Sequence, residues 1–592
     1  MSDIFTYPFD SGYIIKKQRS IRKQLLSDGT ERIKKRIAIL GGSTADAVKD
    51  ILGLFLLNYG IEAEFYLSEY GQYYNEALFP SEELKEFRPD FVYIHTTNRN
   101  ITMYPDVNDS DELVVEKQQA QFAHFRQIWE SISEKFGAVI IQNNFEQPDF
   151  RLLGNSDFTN RRGRVNFINR LNLDFAEYAE KNKNIYINDI NYISSCYGLD
   201  KWSDSRQWYM YKYALAMDAV PYLAANIAAI IKAVLGKNKK VLALDLDNTL
   251  WGGVVGDDGV DGIKIGKDLP GGQVYSEFQE YVKLHKGIGV LLTVCSKNDM
   301  ENAAAGLRHP DGTLKPEDFT MIKANWENKD RNIIETAAEL SLLPESFVFA
   351  DDNPAERAIV SAQIKGAAVP EMTEAENYIR ILDRNRYFEI LSLSDDDRKR
   401  GEMYKANAER AVLQASFSDY GQYLDSLDMT AEIGDFIPLY LSRITQLTNK
   451  SNQFNVTTKR YTEAEMEAVF KSDSHIRLYG KLTDKFGDNG VVSVVIGEIR
   501  NKTELHIDLW LMSCRVLKRE MEYAMLDKLV AAAKEKGIEA IYGYYYPTAK
   551  NNMVKELFGS FGFDKISDDE GNTVWKLKTD GYENKTSHIK LR

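Results

Sequence analysis

Val241-Leu-Ala-Leu-Asp-Leu-Asp-Asn-Thr-Leu250 is an apolar run that leads into two carboxylates, Asp245 and Asp247. A short apolar run of this kind predicts a buried strand. Burying one anion at a strand end is costly and two anions repel each other, so the pair predicts a divalent cation nearby. The alternative is a strand end whose aspartates only cap the following helix.

Polar residues follow later predicted elements in the same way. They come after the apolar runs 290–294 and 346–350 and at the start of a predicted helix. These residues are Ser296, Asn298, Lys329, Asp351 and Asp352. Open parallel sheets place their ligand sites at the carboxyl ends of their strands. The order of these features therefore predicts one site at such an edge.

The motif order resembles that of the haloacid dehalogenase (HAD) superfamily, which has an Asp-x-Asp-x-Thr strand, a Ser or Thr, a Lys and a late acidic pair. The resemblance implies a Rossmann-like parallel sheet and magnesium-dependent phosphoryl transfer, with an aspartyl phosphate forming on Asp245. Asp247 would protonate the leaving oxygen and later deprotonate the attacking water. Thr249 would orient Asp247.

The same resemblance assigns the remaining motif residues to phosphate and metal. Ser296 and Lys329 would hold the phosphoryl oxygens, and Asn298 is a candidate substrate contact. The implied ligands of Mg²⁺ are Asp245, Asp247 through its carbonyl oxygen, Asp352, and Asp351 directly or through water.

The segment between the first two motifs is short. It holds a Gly-rich hairpin at residues 251–266 and a predicted helix at residues 274–284. No room remains for a large cap domain. An uncapped site admits large substrates, such as the arm of a carrier protein, unless neighbouring domains cover it.

The chain is predicted to hold several domains, since it is far longer than one hydrophobic core usually organises. Strand and helix patterns alternate in the first two domains, which predicts parallel α/β sheets, whereas the last domain is α+β. The predicted parts are a helical arm (1–35), an α/β domain (36–236), the catalytic domain (237–386), a helical linker (387–428), the α+β domain (429–580) and a polar, frayed tail (581–592).

Several strings narrow the resemblance to the FkbH-like subfamily. Trp251-Gly-Gly-Val-Val-Gly-Asp-Asp-Gly259 follows the nucleophile strand, and Gln446-Leu-Thr-Asn-Lys-Ser-Asn-Gln-Phe-Asn-Val-Thr-Thr458 and Ser513-Cys-Arg-Val516 lie downstream. FkbH-like proteins imply removal of phosphate from 1,3-bisphosphoglycerate and transfer of the glyceryl group to an acyl carrier protein thiol. The implied partners are a phosphorylated small molecule and an acyl carrier protein or its phosphopantetheine.

Cys514 is the candidate for the enzyme thiol in that transfer. It precedes Arg515 at a predicted strand-to-helix junction, where a helix N-terminus and cationic neighbours favour thiolate. The alternative is a buried cysteine that only packs. The α+β domain also resembles the GNAT acetyltransferase fold, but the loop 515–520 lacks the glycines that would let phosphate approach the backbone. The candidate substrate contacts there are Arg515, Asn452, Asn455 and Asn552.

The first domain resembles the SGNH hydrolase fold, a flavodoxin-like α/β arrangement. Ser43 stands at the nucleophile turn, and Gly71 and Asn98 stand where oxyanion donors would be. The required Asp-x-x-His is replaced by Asp204-Ser-Arg-Gln207, so no imidazole is present to accept the serine proton. We expect a degenerate domain that docks a partner or covers the active site rather than an active esterase.

Composition argues for a soluble cytoplasmic protein. Lys+Arg 74 and Asp+Glu 88 give a formal net charge of −14, which disfavours nucleic acid or an anionic membrane as partner. The 3 cysteines are too few for a disulfide framework. The most apolar window, residues 213–235, is interrupted by polar and charged residues and predicts a buried or amphipathic helix rather than a membrane span.

Three functions remain open from the sequence. The first is a bifunctional enzyme that couples phosphoryl chemistry at Asp245 to thioester formation at Cys514. The second is a stand-alone sugar- or metabolite-phosphate phosphatase whose outer domains only bind and orient. The third is a non-catalytic scaffold, which the intact motif set disfavours.

Overall fold

The computed structural model describes residues 2–268, 270–393, 398–451, 453–548 and 550–592. The chain divides into two compact units, Met1–Val234 and Leu235–Arg592. Each unit is built around its own sheets, and the two are described in turn.

The first unit is a parallel sheet with helices between its strands. The strand order is β2–β1–β3–β4–β5. The strands are β1 (Ile33–Gly41), β2 (Ile61–Leu67), β3 (Phe91–His95), β4 (Val139–Asn143) and β5 (Ile185–Asn188). The α-helices are Ser11–Leu26, Asp46–Asn58, Tyr73–Leu78, Glu82–Phe87, Asp111–Phe136, Ser156–Thr159, Arg164–Lys181, Ile190–Tyr197, Leu199–Trp202, Ser205–Tyr211 and Val220–Val234. Residues of β3 and β4 are buried throughout, as expected for central strands covered on both faces.

The apolar window near the end of this unit forms a helix. Among the described residues, one helical stretch, Met217–Val234, is long and apolar enough to cross a membrane, and 67% of it is buried within the fold. A core helix meets the same criterion because it too is apolar on most sides. The predicted buried helix is confirmed.

The second unit begins with another parallel sheet, ordered β8–β7–β6–β9. Its strands are β6 (Val241–Leu244), β7 (Leu291–Ser296), β8 (Met321–Ala324) and β9 (Phe347–Ala350). The α-helices around it are Val255–Asp258, Pro270–Gly287, Met300–Leu307, Lys329–Glu339, Pro354–Gln363 and Tyr378–Arg384. Leu244 of β6 pairs with Val294 of β7 and with Ala350 of β9, so the carboxyl ends of these strands share one edge.

The described residues between β6 and β7 contain no cap domain. They hold the short helix Val255–Asp258, an antiparallel bridge between Gly252 and Lys264, and the helix Pro270–Gly287. The prediction that no large cap domain is inserted between the first two motifs is therefore confirmed for the described residues of this segment.

The rest of the second unit is a mixed sheet in the order β15–β16–β14–β13–β12–β11–β10–β17. Its strands are β10 (Met429–Asp435), β11 (His475–Asp484), β12 (Gly487–Arg500), β13 (Glu504–Met512), β14 (Ala540–Tyr545), β15 (Asp564–Asp569), β16 (Asn572–Lys578) and β17 (Ile589–Leu591). Its α-helices are Pro438–Lys450, Glu463–Lys471, Met521–Glu535 and Leu557–Ser560. Two parallel sheets and one mixed sheet confirm the predicted fold class.

The tail that we expected to be frayed is part of this sheet. β17 pairs in parallel with Met429–Ala431 of β10. The backbone amides of Lys585 and Thr586 donate to the carboxylate of Asp527, at 2.9 Å for each residue's shortest contact. The expectation was wrong because polar composition does not report backbone pairing, and this pairing covers a strand edge.

The predicted linker holds the helices Arg400–Ala415 and Tyr420–Ser426, and residues 394–397 of the linker lie outside the described residues. Arg410 of the first helix donates to both carboxylate oxygens of Asp484, at 2.9 and 2.7 Å. Arg519 donates to the same carboxylate at 3.0 Å. All three side chains are buried, so one carboxylate joins the linker helix to β11 and to the loop after β13.

Asp484→Ala should lower the free energy of unfolding of the second unit by about 3–5 kcal/mol, because it leaves two buried guanidinium groups without their anion. Urea denaturation measures this loss. Asp568→Ala, which removes an exposed partner of Lys565, is the matched control and should cost less than about 1 kcal/mol. Equal losses in the two variants would contradict the role assigned to Asp484.

Candidate active site

Asp245 is the first residue after β6. Its backbone amide donates to the carbonyl oxygen of Ala350 at 3.0 Å, which continues the pairing of β6 with β9. Its side chain is buried at the carboxyl edge of the sheet. Ser296 ends the neighbouring strand β7 and is also buried. The parallel register thus brings residues from two distant motifs to the same edge.

Three carboxylates meet at this edge. One oxygen each of Asp245, Asp351 and Asp352 lies within 4.8 Å of the others. Burial, and then the charge of Asp245, raises the pKa of Asp351 to about 6, and the same two causes raise the pKa of Asp352. Clustered carboxylates that repel each other are suited to a divalent cation, which prefers oxygen ligands. These three residues could hold such an ion.

Lys329 lies between two of those carboxylates. Its Nζ atom is 3.0 Å from Asp245 Oδ1 and 2.6 Å from Asp351 Oδ2. Burial by itself would lower the pKa of Lys329, but the charges of Asp245 and Asp351 outweigh burial and raise it. The ammonium group therefore stays charged at neutral pH and can face phosphoryl oxygens.

Asp247 has a different set of partners. Its Oδ1 atom accepts hydrogen bonds from Trp251 Nε1 at 2.9 Å and from the Val255 amide at 3.0 Å, and its Oδ2 atom accepts one from Asn298 Nδ2 at 3.0 Å. Burial raises the pKa of Asp247. The side chain is thus oriented apart from the three clustered carboxylates and favours its protonated form more than an exposed aspartate does.

Two sequence-based roles differ from what these contacts show. Thr249 was expected to orient Asp247, but its hydroxyl lies 3.4 Å from Asp352 Oδ1 and accepts the Asp352 amide at 3.2 Å. The turn at Asn248, with φ 54°, carries Thr249 toward the loop after β9. Asn298 was expected to contact substrate, whereas its amide orients Asp247.

Trp251 and Arg357 were not singled out from the sequence. Trp251 is buried, and its ring packs against Gly306. A Cβ atom added at Gly306 would lie 2.8 Å from the Trp251 ring. Arg357 Nη1 donates to the carbonyl oxygens of Asp351, Asp352 and Met372, at 2.8, 2.6 and 3.1 Å. Arg357 therefore holds the loop that carries the acidic pair. Its place just after the Asp-Asp-Asn-Pro string was the available signal.

Cys514 lies away from the aspartates. It begins the short turn Cys514–Val516, is half-buried, and its Sγ atom is 3.9 Å from the hydroxyl of Tyr404. Burial lowers the pKa of Lys240, and the neighbouring Cys514 partly offsets this effect. Lys240 precedes β6 while Asp245 follows it, so roughly 16 Å of extended chain separates them at about 3.3 Å per residue. The structure does not bring Cys514 to the carboxylate cluster.

Two of the residues predicted to contact substrate in the last domain are buried and bond to other residues of the chain. Arg515 is buried, and its Nε atom donates to Ser513 Oγ at 3.2 Å. Asn455 is buried and accepts the Thr458 amide at 2.8 Å. Asn552 is exposed, and Asn452 lies outside the described residues. Arg515 and Asn455 are not presented to a ligand in this conformation.

The gap between strands β13 and β14 of the last domain is filled by another segment of the chain. β13 and β14 pair only over Glu504–His506 and Ala540–Tyr542 and then separate. The segment 454–456 enters the gap: the Val456 amide donates to Trp510 O at 3.1 Å, and the Tyr546 amide donates to Val456 O at 2.9 Å. The chain itself therefore satisfies backbone groups between the two strands.

The first domain keeps its predicted Ser43 turn without a base. Ser43 is buried just after β1, and the Gly71 amide donates to the carbonyl oxygen of Gly41 at 3.0 Å. Asn98 Nδ2 donates to the carbonyl oxygen of Gln147 at 3.0 Å. Asp204 accepts the amide of Arg206 at 2.8 Å and so caps the helix Ser205–Tyr211. It does not orient an imidazole.

Comparison with known proteins agrees with this arrangement. Residues 36–232 match the family described as FkbH, N-terminal domain. The N-terminal part of the protein BF1531 from Bacteroides fragilis, which contains a phosphatase domain complexed with Mg, is 29% identical, with a TM-score of 0.59 over 64% of this chain and 99% of that one. No curated protein matches the chain.

Acetyltransferase structures match part of the chain. The ribosomal-protein-S18-alanine N-acetyltransferase of Escherichia coli is 11% identical, with a TM-score of 0.21 over 27% of this chain and 99% of that one. PaiA N-acetyltransferase of Thermoplasma acidophilum in complex with coenzyme A is 14% identical, with a TM-score of 0.19 over 25% of this chain and 99% of that one. Residues 36–232 therefore resemble the FkbH N-terminal domain, and 64% of the chain is similar to a protein that contains a phosphatase domain.

Proposed function

We propose that the protein is a Mg²⁺-dependent phosphatase or phosphotransferase of the HAD type that works through an aspartyl phosphate on Asp245. The observation that carries the proposal is the approach of Asp245, Asp351 and Asp352 within 4.8 Å of one another beside the charged Lys329. Oxygen ligands for a cation and a fixed positive charge are the two features that phosphoryl transfer requires.

In the first step, a carboxylate oxygen of Asp245 would attack phosphorus while the bond from phosphorus to the leaving oxygen breaks. Asp247 would give its proton to that leaving oxygen. Burial raises its pKa and so makes protonation easier than in an exposed aspartate, and the hydrogen bonds from Trp251 and Asn298 keep its carboxyl group in one orientation. Lys329 and Ser296 would hold the phosphoryl oxygens.

In the second step, Asp247 would take a proton from water as the water oxygen attacks phosphorus. The bond between phosphorus and Asp245 would break and free the carboxylate. If an acceptor hydroxyl replaced water, the same residues would perform phosphotransfer.

The metal site would draw on this chain's clustered carboxylates. Asp245, Asp352 and the carbonyl oxygen of Asp247 would bind Mg²⁺, with Asp351 binding directly or through water. When bound, the ion would neutralise phosphoryl charge. Lys329 already offsets part of the negative charge of Asp245 and Asp351, and Arg357 keeps the acidic loop in place.

Asp245→Asn should lower kcat for phosphate release by at least roughly 1000-fold, because the amide is no nucleophile. Lys329→Ala should cost about 100-fold or more through lost stabilisation of the transition state. Phosphate release from p-nitrophenyl phosphate measures both, because this substrate has no acyl group for Cys514 to attack. Asp257→Asn, at an exposed position, and Lys323→Ala, at a half-buried position, are matched controls and should keep activity. A fully active Asp245→Asn protein would remove the mechanism.

Mg²⁺ should raise the melting temperature of the wild-type protein, since an ion that binds only the folded state stabilises it by about 2.7 kcal/mol at 100 times its Kd. Asp352→Asn should reduce this shift, because it removes one charged ligand. Differential scanning calorimetry at matched ionic strength measures the shift without any substrate. An equal shift in the variant would exclude Asp352 as a ligand.

We propose acyl transfer through Cys514 as a second activity. The thiol is half-buried and neighbours the Lys240 ammonium group, which supports the proposal. The sulfur would attack the acyl carbon of an acyl phosphate, and the bond from that carbon to the phosphate oxygen would break. The thioester would then pass to a carrier thiol. The separation of Lys240 from Asp245 implies that the two activities use separate sites.

Incubation with 1,3-bisphosphoglycerate should add the mass of one phosphoglyceryl group to the wild-type protein, or of one glyceryl group where the remaining phosphate has been hydrolysed, and Cys514→Ala should abolish the gain. Intact mass spectrometry measures the adduct. Cys196→Ala, which changes an exposed cysteine, is the control and should still form it. Phosphate release without any adduct would favour the stand-alone phosphatase, and neither phosphate release nor adduct would favour the scaffold.

A further inference from the structure

Exposed apolar side chains adjoin the groups that hold Asp247. Val254 is 36% exposed and precedes Val255, whose amide donates to Asp247. Met300 is 48% exposed and lies two residues after Asn298, whose side chain also donates to Asp247. Large apolar side chains are usually buried, so their presence beside one carboxylate marks a candidate contact surface.

Trp326 is the largest member of this group and is 71% exposed. Its Nε1 atom donates to Asp299 Oδ1 at 3.0 Å, and Asp299 directly follows Asn298 in the chain. The indole is thus linked by one hydrogen bond to the segment that orients Asp247. With its polar atom already satisfied, the ring offers an apolar face to a ligand.

The loop under this indole is held at several points. The side-chain amides of Asn325 and Asn332 donate to each other at 3.2 and 2.8 Å. The backbone amide of Asn325 also donates to the carbonyl oxygen of Ser296 at 3.2 Å. A ring on an anchored loop loses little conformational freedom when a ligand packs on it, so more of the contact energy remains for binding.

We propose that Trp326, Met300 and Val254 form a leaving-group site that selects phosphorylated substrates whose leaving group presents an apolar or planar face. This inference rests on the proposed function, in which Asp247 gives its proton to the leaving oxygen. The part of the substrate bonded to that oxygen would lie next to Asp247, whose hydrogen-bond donors Val255 and Asn298 neighbour Val254 and Met300 in the chain. Trp326 is a specificity-determining residue and takes no part in proton transfer.

The test compares two substrates that differ in the leaving group. Trp326→Ala should raise KM for p-nitrophenyl phosphate about three- to tenfold, the effect of losing one aromatic contact. KM for acetyl phosphate, whose leaving group is small, should change less than about twofold on the same reasoning. Trp326→Phe should restore most of the aryl-phosphate affinity. Leu284→Ala is the matched control, since Leu284 is an apolar side chain that is 72% exposed. It lies near the end of the helix Pro270–Gly287, which precedes β7 at the edge of the sheet away from the carboxylates.

Equal changes in KM for the two substrates would overturn the inference. No change in KM for either substrate would also overturn it, and would favour a macromolecular partner as the ligand of the three apolar side chains. Calorimetric titration of Asp245→Asn with p-nitrophenyl phosphate, with and without Trp326→Ala, separates this inference from the proposed function. Wild-type protein that turns over neither substrate would refute the proposed function. Aryl-phosphate binding that weakens with Trp326→Ala would still support the site, and binding that does not weaken would refute it.

Discussion

Lys329 lies between the buried carboxylates of Asp245 and Asp351. The burial of the carboxylate cluster in the domain at residues 237–386 depends on this contact. Without a cation, two buried anions at one strand edge would repel each other. Lys329 balances part of that charge while its own pKa rises. The same ammonium group that permits the cluster to be buried is therefore available to face phosphoryl oxygens.

The parallel register places these charges. Because Leu244 pairs with both Val294 and Ala350, the residues that follow β6, β7 and β9 share one edge. The hydrogen bonds of Arg357 then keep the loop after β9 at that edge. Function in this domain follows from strand ends, as in other open parallel sheets.

The last domain contributes a different arrangement. Its β13–β14 gap is occupied by the segment 454–456, and its buried Arg519 and Asp484 bind the linker helix through Arg410. The Cys514 thiol lies 3.9 Å from the hydroxyl of Tyr404 and packs against the core cluster that includes Val241 at the start of β6. These contacts join the domain to the phosphatase-like sheet through the edge opposite the carboxylates, so any thiol chemistry there is spatially separate from phosphoryl chemistry.

The sequence by itself determined the parallel strands, the uncapped edge and the polar residues that end each strand, because apolar runs and strand ends are local properties. Only the tertiary structure decided that Thr249 contacts Asp352, that Asn298 and Trp251 orient Asp247, and that the tail pairs with β10. It also decided that Cys514 lies apart from Asp245. Side-chain direction after a strand depends on turns such as Asn248 and on partners distant in the chain, and neither is recorded in residue spacing.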